Sequence, residues 1–148
     1  MAFFSLVALA IFGSFLPDLA AGDNWQPNFN ETCSDIWWEQ SGLAPHAVTL
    51  FATCELSGGT TTSSLDLGVC LTVGDNGQIS GMDNGNWGGH ADCGCGEYDV
   101  AQDGSTLSCT CTNSKGDNNY FNEFNLNQVV GNTAGFLYCY STLGTVAN

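Results

Sequence analysis

Leu50-Phe51-Ala52-Thr53-Cys54 returns 57 residues later as Leu107-Ser108-Cys109-Thr110-Cys111, and the echo continues along both copies. Ser57 matches Ser114, Leu65-Asp66-Leu67 matches Phe124-Asn125-Leu126, and Gly77-Gln78-Ile79 matches Gly135-Phe136-Leu137. The offset is 57 at Cys54/Cys111, 59 at Leu67/Leu126 and 58 at Gly77/Gly135, so the register drifts by only two positions. A two-fold tandem duplication accounts for this. A unit of roughly 60 residues seldom buries enough apolar surface alone, and two copies are expected to share one core.

Neither copy reads as helical. Gly, Asn, Ser and Thr are abundant, and Ala, Leu, Glu and Lys never gather into a stripe of period 3.6. Val48 to Cys54 and Thr106 to Cys111 instead alternate with period two, as half-buried strands do. Asn76-Gly77 ahead of Ile79 and Asn84-Gly85 ahead of Trp87 are turn signals. The expected fold class is all-β, disulfide-stapled, with two similar halves. The first repeat runs over about 24–80 and the second over about 86–140, joined through Ser80 to Gly89.

Phe3 to Leu16 is an apolar run too short to span a bilayer, and small residues follow at Ala20-Ala21-Gly22. Residues 1–22 read as a cleaved secretory signal, although no Lys or Arg precedes the run; the alternative is a buried core segment. The expected mature chain, 23–148, has 126 residues (148 minus 22), which fits one compact domain. It is expected to be secreted and extracellular.

Eight cysteines behind such a signal read as four disulfides. Cys93-x-Cys95 and Cys109-x-Cys111 superficially offer four thiolates to zinc. Zinc ligands are usually spaced by two or more residues, and an oxidising compartment removes thiolates, so no metal or other cofactor is expected. If the strands around these four pair as an antiparallel hairpin, opposed residues share one index sum. Cys93 with Cys111 and Cys95 with Cys109 both give 204, whereas the crossed choice gives 202 and 206, an offset beyond disulfide reach. The repeat then pairs Cys33 with Cys54, and elimination leaves Cys70 with Cys139.

Lys115 is the single basic residue against 15 acidic ones. Asp18 leaves with the signal, so the mature charge is 1 minus 14, or −13. Such a surface repels phosphate backbones and anionic headgroups, which argues against nucleic acid and membranes as partners. The 43% hydrophobic content argues against disorder.

Trp37-Trp38 and the residues up to His46 lengthen the loop between Cys33 and Cys54 relative to its counterpart. Adjacent tryptophans on a strand face opposite sides, so at most one enters the same core. The other covers a surface, stacks on a sugar ring or packs under the inserted loop, and packing is the favoured reading because large aromatics are usually mostly buried.

Asn24-Trp25-Gln26-Pro27-Asn28-Phe29-Asn30-Glu31-Thr32-Cys33, Ala52-Thr53-Cys54-Glu55, Ser63-Ser64-Leu65-Asp66-Leu67 and the repeated Gly-x-aliphatic ends together resemble the cyanovirin-N homology family of lectins. The resemblance covers nearly all of the mature chain. It implies two pseudo-symmetric all-β halves, each taking strands from both repeats and carrying a carbohydrate site, often for mannose-rich glycans. Partners would be oligosaccharides or glycoproteins, bound by a monomer or a domain-swapped dimer.

Carried onto this sequence, the first site comprises Glu31 and Thr32, Glu55 and Ser57, and Asn132 and Thr133. The second comprises Asp92, Thr112, Asn113 and Ser114, with Asp75 and Asn76. The second departs more from the family: Asn86-Trp87 echoes Asn24-Trp25, but the segment up to Cys93 is shorter and glycine-rich, and an extra cysteine rung follows. Carboxylates, amides and hydroxyls suit vicinal sugar hydroxyls, which donate and accept at once. The same residue types near turns also cap local backbone. Asn30-Glu31-Thr32 is an N-glycosylation sequon, and a glycan on Asn30 would stand beside the first site. In an extended segment Asn30 would point with Thr32 and away from Glu31.

Two other functions compete. An enzyme is disfavoured: the histidines, His46 and His90, form no metal-ligand pair, and neither a Gly-x-Ser-x-Gly elbow nor a phosphate loop is present. A secreted structural or interaction protein that kept the fold without sugar binding is the second rival.

Overall fold

The computed structural model describes residues 26–41, 47–87, 93–95, 104–116 and 119–147. The signal-like segment, Asn24-Trp25, His46, His90 and Asp92 lie outside them.

The first repeat contributes β1 (Cys33–Gln40), β2 (Val48–Leu56), β3 (Gly59–Asp66), β4 (Leu71–Val73) and β5 (Ile79–Gly81). The second contributes β6 (Cys93–Cys95), β7 (Thr106–Thr112), β8 (Asn119–Asn125), β9 (Gly131–Thr133) and β10 (Phe136–Cys139), followed by β11 (Thr142–Leu143) and β12 (Thr145–Val146). All pairings are antiparallel. The sheets run β1-β2-β3-β12, β6-β7-β8, β11-β10-β9 and β4-β5. The fold is all-β.

The alternation of β2 is the source of its placement: Val48, Leu50, Ala52 and Cys54 are buried while Thr49, Phe51 and Thr53 are not. β7 keeps Leu107, Cys109 and Cys111 inside, but Ser108 is buried too, so the outer side of this strand is partly covered. Where Leu65-Asp66-Leu67 and Phe124-Asn125-Leu126 recur, each middle side chain caps a short 3₁₀ turn. Asp66 Oδ1 accepts from Gly68 N at 2.8 Å, and Asn125 Oδ1 accepts from Asn127 N at 2.9 Å. Leu67 and Leu126 are thereby turned into the core.

The two repeats exchange hairpins. The β9-β10 hairpin of the second repeat packs on the first: Leu137 N donates to the buried Ser63 Oγ at 2.9 Å, and Gly135 abuts Leu56 and Thr61. The β4-β5 hairpin of the first repeat packs on the second. Ile79 N donates to Asn122 Oδ1 at 3.0 Å, Asn122 Nδ2 donates to Gly77 O at 3.0 Å, and Gly77 lies against the Tyr120 ring. Leu50, Leu65 and Leu67 share a single core cluster with Leu107, Leu126 and Leu137, all at most 2% exposed. Each such side chain contributes about 1.5–3 kcal/mol.

Cys33–Cys54, Cys93–Cys111 and Cys95–Cys109 bridge directly opposed residues with Cα separations of 4.0, 4.1 and 4.0 Å. Cys70–Cys139 joins the repeats at 5.9 Å. No free cysteine remains. The side chain of Gln40 adds a further tie between repeats, donating from Nε2 to Cys93 O at 2.8 Å and accepting from Cys95 N at 3.0 Å.

In the first repeat the position of the second disulfide rung is taken by a β-bulge. Register shifts between Ser34 and Trp37, with Asp35 at φ 45°. The adjacent tryptophans divide as alternation requires: Trp37 faces outward at 40% exposure, and Trp38 packs against the core.

Candidate functional site

The segment before Cys33 is held on the end of the second repeat. Phe29, fully buried, donates its N–H to Val130 O at 3.2 Å, and Asn28 N donates to Asn127 O at 3.1 Å. Gln26 and Tyr138 exchange two bonds, Gln26 N to the phenol oxygen at 2.9 Å and the phenol hydroxyl to Gln26 O at 3.1 Å. These anchors bring Thr32 to the final turn.

Asn132 completes the assembly. Its Nδ2 donates to Thr32 Oγ1 and to the Glu55 carbonyl, both at 3.0 Å, and its Oδ1 accepts from Gly135 N at 3.0 Å. Glu55 N in turn donates to Thr32 O at 2.9 Å. Thr32, Glu55 and Asn132, which the sequence places in one site, are therefore in direct contact. Both Asn132 donors are occupied within the protein and one acceptor lone pair remains, which makes it a positioning residue more than a contact group. Glu31, Glu55 and Ser57 are exposed, and Thr133 is half-buried beside Asn132. The carboxylate of Glu55, the hydroxyls of Thr32 and Thr133, and nearby backbone groups place donors and acceptors side by side on the surface, a chemistry suited to hydroxyl-bearing ligands.

The expectation for Asn30 changes. Phe29–Glu31 is a 3₁₀ turn, so period-two alternation does not apply, and Asn30 does not simply oppose Glu31. Asn30 is half-buried, and its N–H donates to Asn127 Oδ1 at 3.3 Å.

The second set is bolted differently. Ser114 N donates to Asp75 O at 3.1 Å, which joins the two segments. The asparagines, however, close local turns: Asn76 bonds Gln78 through both amide atoms, at 3.0 and 3.1 Å, and Asn113 Oδ1 accepts from Lys115 N at 3.0 Å. Asp75 and Ser114 are exposed, and Thr112 is half-buried. The position 58 residues before Asn132 is Gly74, so this half lacks the equivalent amide. Asn122 takes over the tie between turn and sheet, a role the sequence does not announce, since only the packing of β8 on the β4-β5 hairpin supplies its partners.

Among the described residues, no group of three or more His, Cys, Asp and Glu side chains could hold a metal ion.

Two pseudo-symmetric halves that exchange hairpins, each stapled before a turn-lined polar surface, define the class of a disulfide-bonded, tandem-repeat β protein with lectin-like architecture. The CVNH domain model matches residues 29–138, and the chain belongs to this family, a lectin family. GzCVNH of Gibberella zeae is 25% identical, with a TM-score of 0.56, covering 77% of this chain and 98% of that one. NcCVNH of N. crassa is 19% identical at a TM-score of 0.54, covering 73% and 94%. A MoCVNH3 variant solved in complex with (N-GlcNAc)4 is 16% identical at 0.56, covering 79% and 99%. No curated protein sequence matches significantly.

Proposed function

We propose that this protein is a secreted lectin that binds neutral oligosaccharides, of mannose type in the first instance, at the surface built around Thr32, Glu55, Asn132 and Thr133. The observation that carries the reading is the meeting of Thr32, Glu55 and Asn132 at bonds of 3.0 Å, with the Glu55 side chain left exposed. Family membership supports the carbohydrate class, and the (N-GlcNAc)4 complex of the MoCVNH3 variant supports N-acetylglucosamine oligomers as a second ligand reading. Four disulfides support an oxidising, extracellular setting. The mature charge, 1 minus 14 or −13, favours neutral over sialylated or sulfated glycans. The protein acts by binding and not as an enzyme, and its second surface is the weaker one because Asn76 and Asn113 are engaged locally.

A glycan array on the oxidised chain tests this. Binding to neutral oligosaccharides that disappears in Glu55→Ala, with an unchanged circular dichroism spectrum, is the expected result. Absence of binding by the wild type would leave the non-binding structural protein as the better account.

A further inference from the structure

An aromatic pair on the outer face of the β1-β2-β3-β12 sheet lies two same-face rows along β2 from Glu55. Trp37 and Phe51 oppose each other across β1 and β2, with ring centroids 5.0 Å apart and planes 5° from parallel. Phe51 covers one face of the indole, yet Trp37 is 40% exposed, so a large part of the residue still meets solvent. Thr53 and Thr62, opposed with hydroxyls 3.3 Å apart, lie one same-face row to one side. Glu39 and Thr49, also opposed, lie one row to the other. Same-face rows are about 7 Å apart, so a flat apolar centre is flanked by hydrogen-bonding groups within the span of one substituted sugar ring.

The bulge is what exposes Trp37. Ser34 opposes Thr53 and Trp37 opposes Phe51, so one extra residue has entered the strand between them. Without it, Ile36 would oppose Phe51 and Trp37 would turn to the core face. Asp35, within the bulge, holds a left-handed φ of 45°, a conformation uncommon outside glycine. A local backbone cost thus places a large indole in water, against its ordinary preference for burial.

We propose that Trp37 and Phe51 form a stacking platform for a neutral pyranose, a second carbohydrate subsite two rows along the same sheet face from Glu55; in ligand class it rests on the lectin reading. The ligand it fits is a β-linked, gluco-configured oligosaccharide. Equatorial substituents leave such a ring with a flat C–H face for the indole, and its rim hydroxyls fall toward Thr53 on one side and Glu39 on the other. Anionic sugars are repelled by Glu39 and by the surrounding acidic surface.

The test is a titration of the full, oxidised, ¹⁵N-labelled chain with cellotetraose, chitotetraose and mannotetraose, following the Trp37 indole N–H and the Thr32, Thr53 and Glu55 amides. The Trp37 indole signal is assigned from the Trp37→Phe spectrum. Cellotetraose or chitotetraose is expected to shift Trp37 and Thr53. Trp37→Ala weakens that response about tenfold without altering responses at Thr32 and Glu55, and Trp37→Phe retains most of it. Responses at Thr32 and Glu55 with none at Trp37 would overturn the platform and leave the lectin reading intact. No response anywhere would overturn both. Trp37 signals that move with protein concentration alone would overturn the platform by assigning this face to a second copy of the chain.

Discussion

Asn132 and Glu55, 77 residues apart, meet through a 3.0 Å hydrogen bond from the Asn132 side-chain amide to the Glu55 carbonyl. The same planar group reaches Thr32 Oγ1 and Gly135 N. One side chain therefore fixes three segments: the stretch before the first cysteine, the end of β2 and the last turn of the second repeat. The hairpin exchange makes this possible, because it lays β9 and β10 against the first repeat.

Asn132→Ala removes all three bonds while leaving the core intact. The groups are accessible to water, which moderates the penalty to about 1–2 kcal/mol. The urea midpoint should fall with an unchanged slope, and glycan binding should weaken because Thr32 and the final turn separate. Asn132→Asp keeps the acceptor for Gly135 N, loses both donors and faces the Glu55 carbonyl with a charge, so its loss should be at least as large. An unchanged midpoint in both variants would contradict the positioning role.

The meeting of distant segments is legible through the resemblance to the cyanovirin-N homology family, and the offsets at Cys54/Cys111 and Gly77/Gly135 then tell which turns correspond. The nested rungs Cys93–Cys111 and Cys95–Cys109 were legible for a simpler reason, since antiparallel register fixes index sums. Hydrogen-bond partners of amides were not. Asn76 turns to Gln78, Asn122 to Gly77 and Asn132 to Glu55, and sequence alone does not say which neighbour an amide meets. The bulge at Asp35 was equally hidden: alternation across Ser34 to Trp38 is broken by one residue, and no glycine marks it.

The four disulfides should differ in thermodynamic weight. Cys70–Cys139 closes a separation of 69 residues and joins the repeats, so replacing both cysteines by alanine should cost about 4 kcal/mol by loop-closure entropy. Cys95–Cys109 lies inside the loop already closed by Cys93–Cys111, and its removal alone should cost about 2 kcal/mol or less. Denaturant unfolding of the two double variants checks the order. Equal losses would show that chain entropy is not the controlling term.

Alkaline pH should weaken the fold through Tyr140. Burial first, and then the Asp83 carboxylate, raise its pKa above the ordinary 10.0. The folded state therefore holds the phenolic proton more tightly than the unfolded chain does. That contribution is fully present below pH 10 and is lost as pH rises through the folded-state value. Thermal unfolding midpoints should fall above pH 10, less steeply in Tyr140→Phe. Absorbance titration of Asp83→Asn should move the Tyr140 transition back toward 10, and no movement would remove Asp83 as a cause.

The two halves are tied by asparagines from unrelated positions, and this has a measurable consequence. Asn122 accepts from Ile79 N and donates to Gly77 O and Tyr120 O, each at 3.0 Å, holding the Asp75-Asn76 turn as Asn132 holds the Thr133 turn. Asn122→Ala leaves the part-buried Ile79 N–H without its partner, so a loss of about 1–3 kcal/mol is expected. Hydrogen exchange should show the Ile79 amide losing protection while Gly135 keeps its own, and Asn132→Ala should give the reverse. Because the two side chains share no partner, their stability losses should add to within about 0.5 kcal/mol in the double variant. A larger coupling would mean that the turns communicate through the shared core, and that a ligand held at one end of the molecule alters the other.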